Sequence, residues 1–165
     1  MIGRETIVAF CILAFVLLCV TVIDARTKII PNKLILFGTA VGIAWVVIGI
    51  FVDVDAPVWY DAILGSLAGA APLFVADRFC LIVMKKNGFG FGDVKLMAMA
   101  GLFMGWRLAV VSLFVAFLAG GLYAAVLIFT KRAESGSYIA FGPFLSFGII
   151  SALFFGNTLM AFFLF

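Results

Sequence analysis

Residues 7–23 form the uncharged run IVAFCILAFVLLCVTVI, which Arg4 and Glu5 precede and Asp24 closes. A run of this kind is typical of a membrane-spanning helix, which needs about 20 mainly apolar residues. A cleaved signal peptide is a poor alternative, because no small-residue cleavage site follows and the chain continues into further hydrophobic runs. We therefore predict that this run is the first span of an all-α integral membrane protein.

The composition of the whole chain agrees with this prediction. Its 165 residues are 67% hydrophobic and 12% charged, with a mean hydropathy of +1.34. A soluble domain is about half apolar and a quarter charged. Six spans of about 20 residues would use roughly 120 residues and leave only short loops. We expect one polytopic domain over residues 1–165, with no soluble domain or insert.

The hydrophobic runs predict about six transmembrane helices. After the first, the expected spans are 34–52, 61–76, 89–106, 108–130 and a last one after Pro143. Asp77 and Arg78 interrupt the third run, and we expect them to mark the water interface. The fourth run is uncharged only over 96–106, so it spans only if it starts near Phe89 and Lys95 snorkels; a re-entrant loop is the alternative.

The basic residues predict the orientation. Nine of the eleven fall on one side of a six-span topology, and Arg4 and Arg107 fall on the other. By the positive-inside rule the nine-residue side is cytoplasmic, so both termini are outside. The acidic loop of Asp53, Asp55 and Asp61 would then also face out. A re-entrant fourth segment would give a weaker separation of eight against three. The nine are Arg26, Lys28, Lys33, Arg78, Lys85, Lys86, Lys95, Lys131 and Arg132.

The residue types exclude several kinds of site. The chain has no histidine, which excludes serine or cysteine catalysis with a histidine base and zinc sites that need imidazole. Cys11, Cys19 and Cys80 form no Cys-x-x-Cys pair, and we interpret them as small buried apolar residues. The net charge of +3 needs no nucleic-acid partner, since the topology and contact with anionic lipid account for it.

Two acidic residues are candidates for chemistry. Asp24 opens the segment DARTKIIPN (24–32), and Asp93 lies in GFGFGDVK (88–95). The predicted topology places both on the cytoplasmic side at membrane depth. Two carboxylates that meet there can share one proton, so that one acts as general base towards water and the other as general acid. The alternative is that both are ordinary solvated interface residues, with Gly88, Gly90 and Gly92 forming a flexible loop.

At these residues the sequence resembles a known family. Three segments are similar to the three signatures of type IV prepilin peptidases, which are aspartic proteases of the Gly-x-Gly-Asp class. The segments are Asp24 with residues 30–32, then residues 90–95, then Phe141-Gly142-Pro143. The resemblance implies that Asp24 and Asp93 are the catalytic aspartates. It also implies cleavage of the basic leader of a prepilin or pseudopilin, at the cytoplasmic face of the inner membrane of a bacterium or an archaeon. No metal or cofactor is implied.

The resemblance also has limits within the family. Bifunctional members carry an insert with two Cys-x-x-Cys pairs and methylate the new N-terminus, whereas this chain has neither. It is similar to the short, peptidase-only form that serves tight-adherence (Flp-type) pili. Ala140 departs from the proline that many members have before Phe-Gly-Pro, which concerns packing more than chemistry.

Nine further residues are expected to support the site. For Lys95, a role beside Asp93 or at the substrate competes with a role as a snorkelling lipid anchor. Arg26 and Lys28 are interpreted mainly as topology markers, and Asn32 as a possible cap of the second helix. Helix-dipole arguments predict that Asp93, at a helix start, ionises before Asp24, at a helix end. The nine are Gly90, Gly92, Lys95, Arg26, Lys28, Pro31, Asn32, Gly142 and Pro143.

Three other functions compete with the peptidase. A non-catalytic scaffold of a pilus or secretion assembly would tolerate loss of either aspartate. A small transporter would need a further acid midway across the bilayer, which the sequence does not offer. A presenilin-like intramembrane protease places its partner aspartate after tyrosine within a helix, whereas Asp24 follows Ile23 at a helix end. The sequence leaves the oligomeric state open.

Overall fold

A computed structural model describes residues 4–52, 54, 56–84, 90–130 and 140–164, and the regular structure of these residues is entirely helical. Four of the five helices, α1 to α4, are long and apolar enough to cross a membrane, which confirms the prediction of an all-α membrane protein. Several predicted features lie outside the described residues: Asp53, Asp55, Lys85, Lys86, Gly88, Phe89, Lys131 and Arg132. The helices are α1 (Arg4–Thr27), α2 (Asn32–Phe51), α3 (Trp59–Met84), α4 (Phe91–Phe129) and α5 (Gly142–Leu164).

Gly105 divides α4 into two segments, 91–104 and 106–129. Its backbone is non-helical, with φ 71° and ψ 177°, a conformation that is essentially restricted to glycine. In the first segment Gly101 packs closely on Gly65 of α3, whereas in the second Gly120 packs on Phe141, just before α5. The two segments therefore have different partners. A straight helix of this length would extend about 58 Å, so the break is what keeps α4 within the bundle.

The first segment of α4 forms the centre of the bundle. Leu96, Met97 and Phe103 are almost fully buried and belong to one apolar core with residues of α1, α3 and α5. Close contacts between small residues, such as Gly148 of α5 against Ala116, allow the helices to approach, as in other membrane bundles. The large apolar side chains of the outer faces remain exposed, as expected for surfaces that contact lipid.

The charged residues Asp77 and Arg78 lie within α3, which continues through both of them, and Asp77 is only 5% exposed. Its carboxylate pairs with the Arg78 guanidinium at 3.2 Å. The guanidinium carbon of Arg78 also lies 5.3 Å from the centroid of the Phe74 ring, a cation–π contact that helps to accommodate the charge. Cys11 is exposed rather than buried, because hydropathy does not distinguish a lipid-facing position from a core position.

Candidate active site

Asp24 lies in the last turn of α1 and is 4% exposed. Its Oδ2 accepts a hydrogen bond from the backbone N–H of Gly142, 2.9 Å away and 118 residues later in the chain. The contact leaves no room for a side chain at residue 142, since a Cβ there would lie 2.6 Å from Asp24 Oδ2. The start of α5 is thus built against the Asp24 carboxyl group.

Asp93 is the third residue of α4 and is 3% exposed. Its side chain folds back on the helix start, where Oδ2 accepts the N–H of Gly90 at 3.2 Å. In return, the Asp93 N–H donates to the Gly90 carbonyl at 2.9 Å. This is the acidic half of a capping box, and the dipole of the helix favours a negative group at this end. The cap fixes the position of the Asp93 carboxyl group.

The two carboxyl groups are close enough to interact electrostatically. Neither forms an ion pair with a basic side chain that the structure describes. Burying unpaired ionisable groups is costly, and such groups are concentrated at functional sites. The same described residues contain no cluster of three or more metal-ligating side chains. The arrangement suits proton transfer between two carboxyl groups and a water molecule.

The connection between α1 and α2 fixes the position of Asp24 relative to Asp93. Lys28 turns the chain with φ 55°, and Ile30 then packs on Gly92, where a Cβ would lie 2.9 Å from that of Ile30. One turn further along α4, Lys95 Nζ donates to Asn32 Oδ1 at 2.9 Å. These two contacts, from residues on either side of Asp93, fix the loop that follows Asp24 against the start of α4.

The predicted roles of Asn32 and Lys95 change in the structure. Asn32 does not cap α2; Pro31 is the N-cap residue, and its carbonyl accepts from Leu34 and Ile35. The Asn32 side chain is instead the acceptor for Lys95. Lys95 is therefore more than a lipid anchor, because its hydrogen bond joins the first turns of α4 and α2. Its Nζ also lies 4.9 Å from the centroid of the Phe91 ring.

The remaining predicted residues contribute less. Arg26 and Lys28 are exposed, and neither forms a hydrogen bond or ion pair with a carboxylate in the described part of the chain. Pro143 lies in the first turn of α5, partly buried, directly after the glycine that contacts Asp24. Sequence reasoning named Ile30 only as part of a motif and missed its packing on Gly92. The only indication in the sequence was the motif of residues 30–32, in which bulky Ile30 could have been expected to pack on a glycine such as Gly92.

The fold and the site define a helical membrane protein with a buried pair of aspartates, one at the end of α1 and one at the start of α4. The model of the type IV leader peptidase family matches residues 11–125, which include both aspartates. The chain belongs to this family. No solved structure matches the chain.

Two of the relatives that the chain matches have the same description. A prepilin leader peptidase/N-methyltransferase of Pseudomonas aeruginosa is 30% identical over 92% of this chain and 50% of its own length. A protein of the same description from Escherichia coli K12 is 35% identical over 79% of this chain and 56% of its own length. The chain thus spans about half the length of the curated relatives it matches.

Proposed function

We propose that this protein is a membrane aspartic endopeptidase that removes the basic leader from type IV prepilins or pseudopilins, with Asp24 and Asp93 as its catalytic pair. The observation that carries the proposal is the meeting of two buried carboxyl groups, from the end of α1 and the start of α4. Membership of the type IV leader peptidase family, and the description of its relatives as prepilin leader peptidases, support the substrate class.

In the proposed mechanism the two carboxyl groups hold a water molecule between them. Asp93, as carboxylate, takes a proton from the water while the water oxygen attacks the scissile carbonyl carbon. Asp24, as the acid, gives its proton to the carbonyl oxygen, which forms a gem-diol. The C–N bond then breaks as protonated Asp93 gives its proton to the leaving amine and Asp24 takes a proton from a diol hydroxyl, which restores both aspartates. The helix-dipole argument favours this assignment by only about 0.3–1 kcal/mol. The Gly142 N–H keeps the Asp24 carboxyl group oriented throughout.

We propose that the site faces the cytoplasm, in a six-span topology of the inner membrane with both termini outside. Four described basic residues support this orientation: Arg26, Lys28, Lys33 and Lys95 lie close in sequence to the aspartates or to the loop they contact. Arg107 lies just after the break at Gly105, beyond the other end of the first α4 segment. Segment 91–104 is about 21 Å long, shorter than a bilayer core of about 30 Å, so it would span with help from its flanking residues.

We also propose that residues 1–165 act as one domain that cleaves a peptide bond without metal or cofactor. An Flp-type pilin is the proposed substrate, as the resemblance to the tight-adherence peptidases implies.

The proposal is tested by incubating the purified protein in detergent with candidate prepilins and measuring product masses. We expect one cut between the basic leader and the hydrophobic helix, with no product from the Asp24→Asn variant. Failure to cut any candidate, or an equal yield from the variant, would contradict the proposal. Normal pilus assembly in cells that carry the variant would instead support a scaffold.

A further inference from the structure

A third buried carboxyl group lies in α3, outside the proposed catalytic pair. Asp77 is 5% exposed, and it pairs with Arg78, whose side chain is half exposed. An ionisable residue buried in a membrane-spanning helix is costly and usually has a function. The carboxyl group that interacts with Asp93 is that of Asp24, so Asp77 is a separate group that the proposed mechanism does not use.

Asp77 lies on the face of α3 that packs against α4. The buried residues of α3, in the part that the structure describes, recur every three or four positions and so form one stripe along the helix. Gly65 packs on the backbone of Gly101, and Gly69 packs on the backbone of Met97, which shows that the stripe faces the first segment of α4. The residues of the stripe are Ala62, Gly65, Gly69, Leu73 and Asp77.

The packing of the two helices sets the level of Asp77. Four residues separate Gly65 from Gly69 on α3, and four separate their partners on α4, in the opposite direction. One further turn on each helix places Leu73 level with Asp93. The next four residues of α3 place Asp77 about 6 Å beyond that level, on the side where α4 begins. Because helical side chains lean toward the N-terminus of their own helix, the Asp77 and Asp93 side chains lean toward each other's level.

This position suits the leader of the proposed substrate. The hydrophobic helix that follows the cut stays in the membrane, so the leader that precedes the cut must extend from the catalytic pair toward the membrane surface. In the proposed topology the start of α4 is at that surface, and Asp77 lies in that direction from Asp93. With helix axes about 8–10 Å apart, the two residues are roughly 10 Å apart, which about three residues of extended peptide cover.

We propose that Asp77 binds a basic side chain of the leader, about three residues before the scissile bond, and that Arg78 takes this place when no substrate is bound. The proposal rests on the proposed function and names a residue that selects its substrate. An ion pair with a half-exposed partner contributes little, so a basic side chain of the leader displaces the Arg78 guanidinium. The displaced group keeps its contact with the Phe74 ring, 5.3 Å from the centroid.

The proposal is tested with a prepilin that the unaltered protein cuts in detergent. Each basic residue of its leader is changed to glutamine in turn, and kcat and KM are measured. We expect the change about three residues before the cut to raise KM about tenfold, the lower end for a hydrogen bond between charged groups. Asp77→Asn should raise KM for the natural leader by the same factor, change kcat less than twofold and make that glutamine change silent. Asp77→Glu should restore part of the preference.

Arg78→Gln separates this role from a structural one. If Arg78 competes with the leader for Asp77, removing its charge lowers KM for the natural leader, and this fall disappears when Asp77→Asn is also present. If the ion pair serves only the fold, KM does not fall. Glu5→Gln is the matched control, since it removes an acidic group about 28 Å from Asp24 along α1 and should change neither constant.

An unchanged leader preference in folded Asp77→Asn would overturn this proposal and leave the proposed function intact, because cleavage persists. An equal loss of kcat for both leaders would also overturn it, because Asp77 would then support the fold or the catalytic pair. Should Asp77→Asn fail to fold, Arg78→Gln decides, and an unchanged or higher KM for the natural leader overturns the proposal. If the unaltered protein cuts no prepilin, the proposed function fails and this proposal fails with it.

Discussion

Gly142→Ala perturbs the candidate site without removing any of its functional groups. The added methyl carbon would lie 2.6 Å from Oδ2 and 3.0 Å from Cγ of Asp24, against an ordinary contact of at least 3.4 Å. Relief of the clash therefore moves the Asp24 carboxyl group, or the start of α5, by about 0.8 Å. Because Asp24 must stay beside Asp93, the displacement acts directly on the geometry of proton transfer.

The expected effect follows from this displacement. A misplacement of about 1 Å costs roughly 10²-fold in rate, so we expect kcat for prepilin cleavage to fall about 10- to 100-fold. KM should change little, because no atom that holds the substrate is removed. Crowding of the buried contact should also lower stability by about 1–3 kcal/mol.

Gly121→Ala is the matched control, since a Cβ at Gly121 meets nothing within 4 Å. Both variants are compared in a time course of leader release in detergent, at a temperature where thermal unfolding shows that each is folded. A wild-type kcat for folded Gly142→Ala would refute the reasoning, because it would mean that catalysis does not depend on the position of Asp24. An equal loss in Gly121→Ala would show a general effect of the substitution instead.

Three further predictions concern other contacts and backbone conformations. Lys95→Met and Asn32→Ala should lower kcat by similar factors and the double variant by no more, since each removes the same hydrogen bond; multiplied losses in the cleavage assay would show separate roles. Gly105→Ala should destabilise the protein by at least about 1–3 kcal/mol in thermal unfolding, because φ is positive there and an added Cβ would also clash with the Asp61 carboxyl group. A second substitution, Asp61→Ala, should not restore stability fully, because it relieves only the clash. Lys28→Gly should raise stability by about 1 kcal/mol with unchanged kcat; a lower kcat would show that the Lys28 charge takes part.

The sequence predicted the class of fold better than it predicted the contacts between individual residues. Long uncharged runs are sufficient to predict helices such as α1, since a bilayer imposes the length. Asp24 and Asp93 could be assigned to one face because charge asymmetry orients the spans. Gly105 lies next to the predicted boundary between the fourth and fifth spans, which rested on Arg107 alone, and the number of spans stays a prediction.

Contacts between distant residues could not be predicted, because they depend on how the helices pack. Nothing local indicates that Asn32 accepts from Lys95 rather than capping its own helix, or that the Gly142 N–H donates to Asp24.

The central claim is that Asp24 and Asp93 act as one catalytic unit. The most direct test measures the rate of leader cleavage by Asp24→Asn, by Asp93→Asn and by the double variant, with folding checked by thermal unfolding. We predict that each single substitution lowers the rate by at least about 10³-fold and that the double variant is no slower, because removing either member disables the unit. Near-normal cleavage by a folded single variant, or losses that multiply in the double variant, would contradict the account.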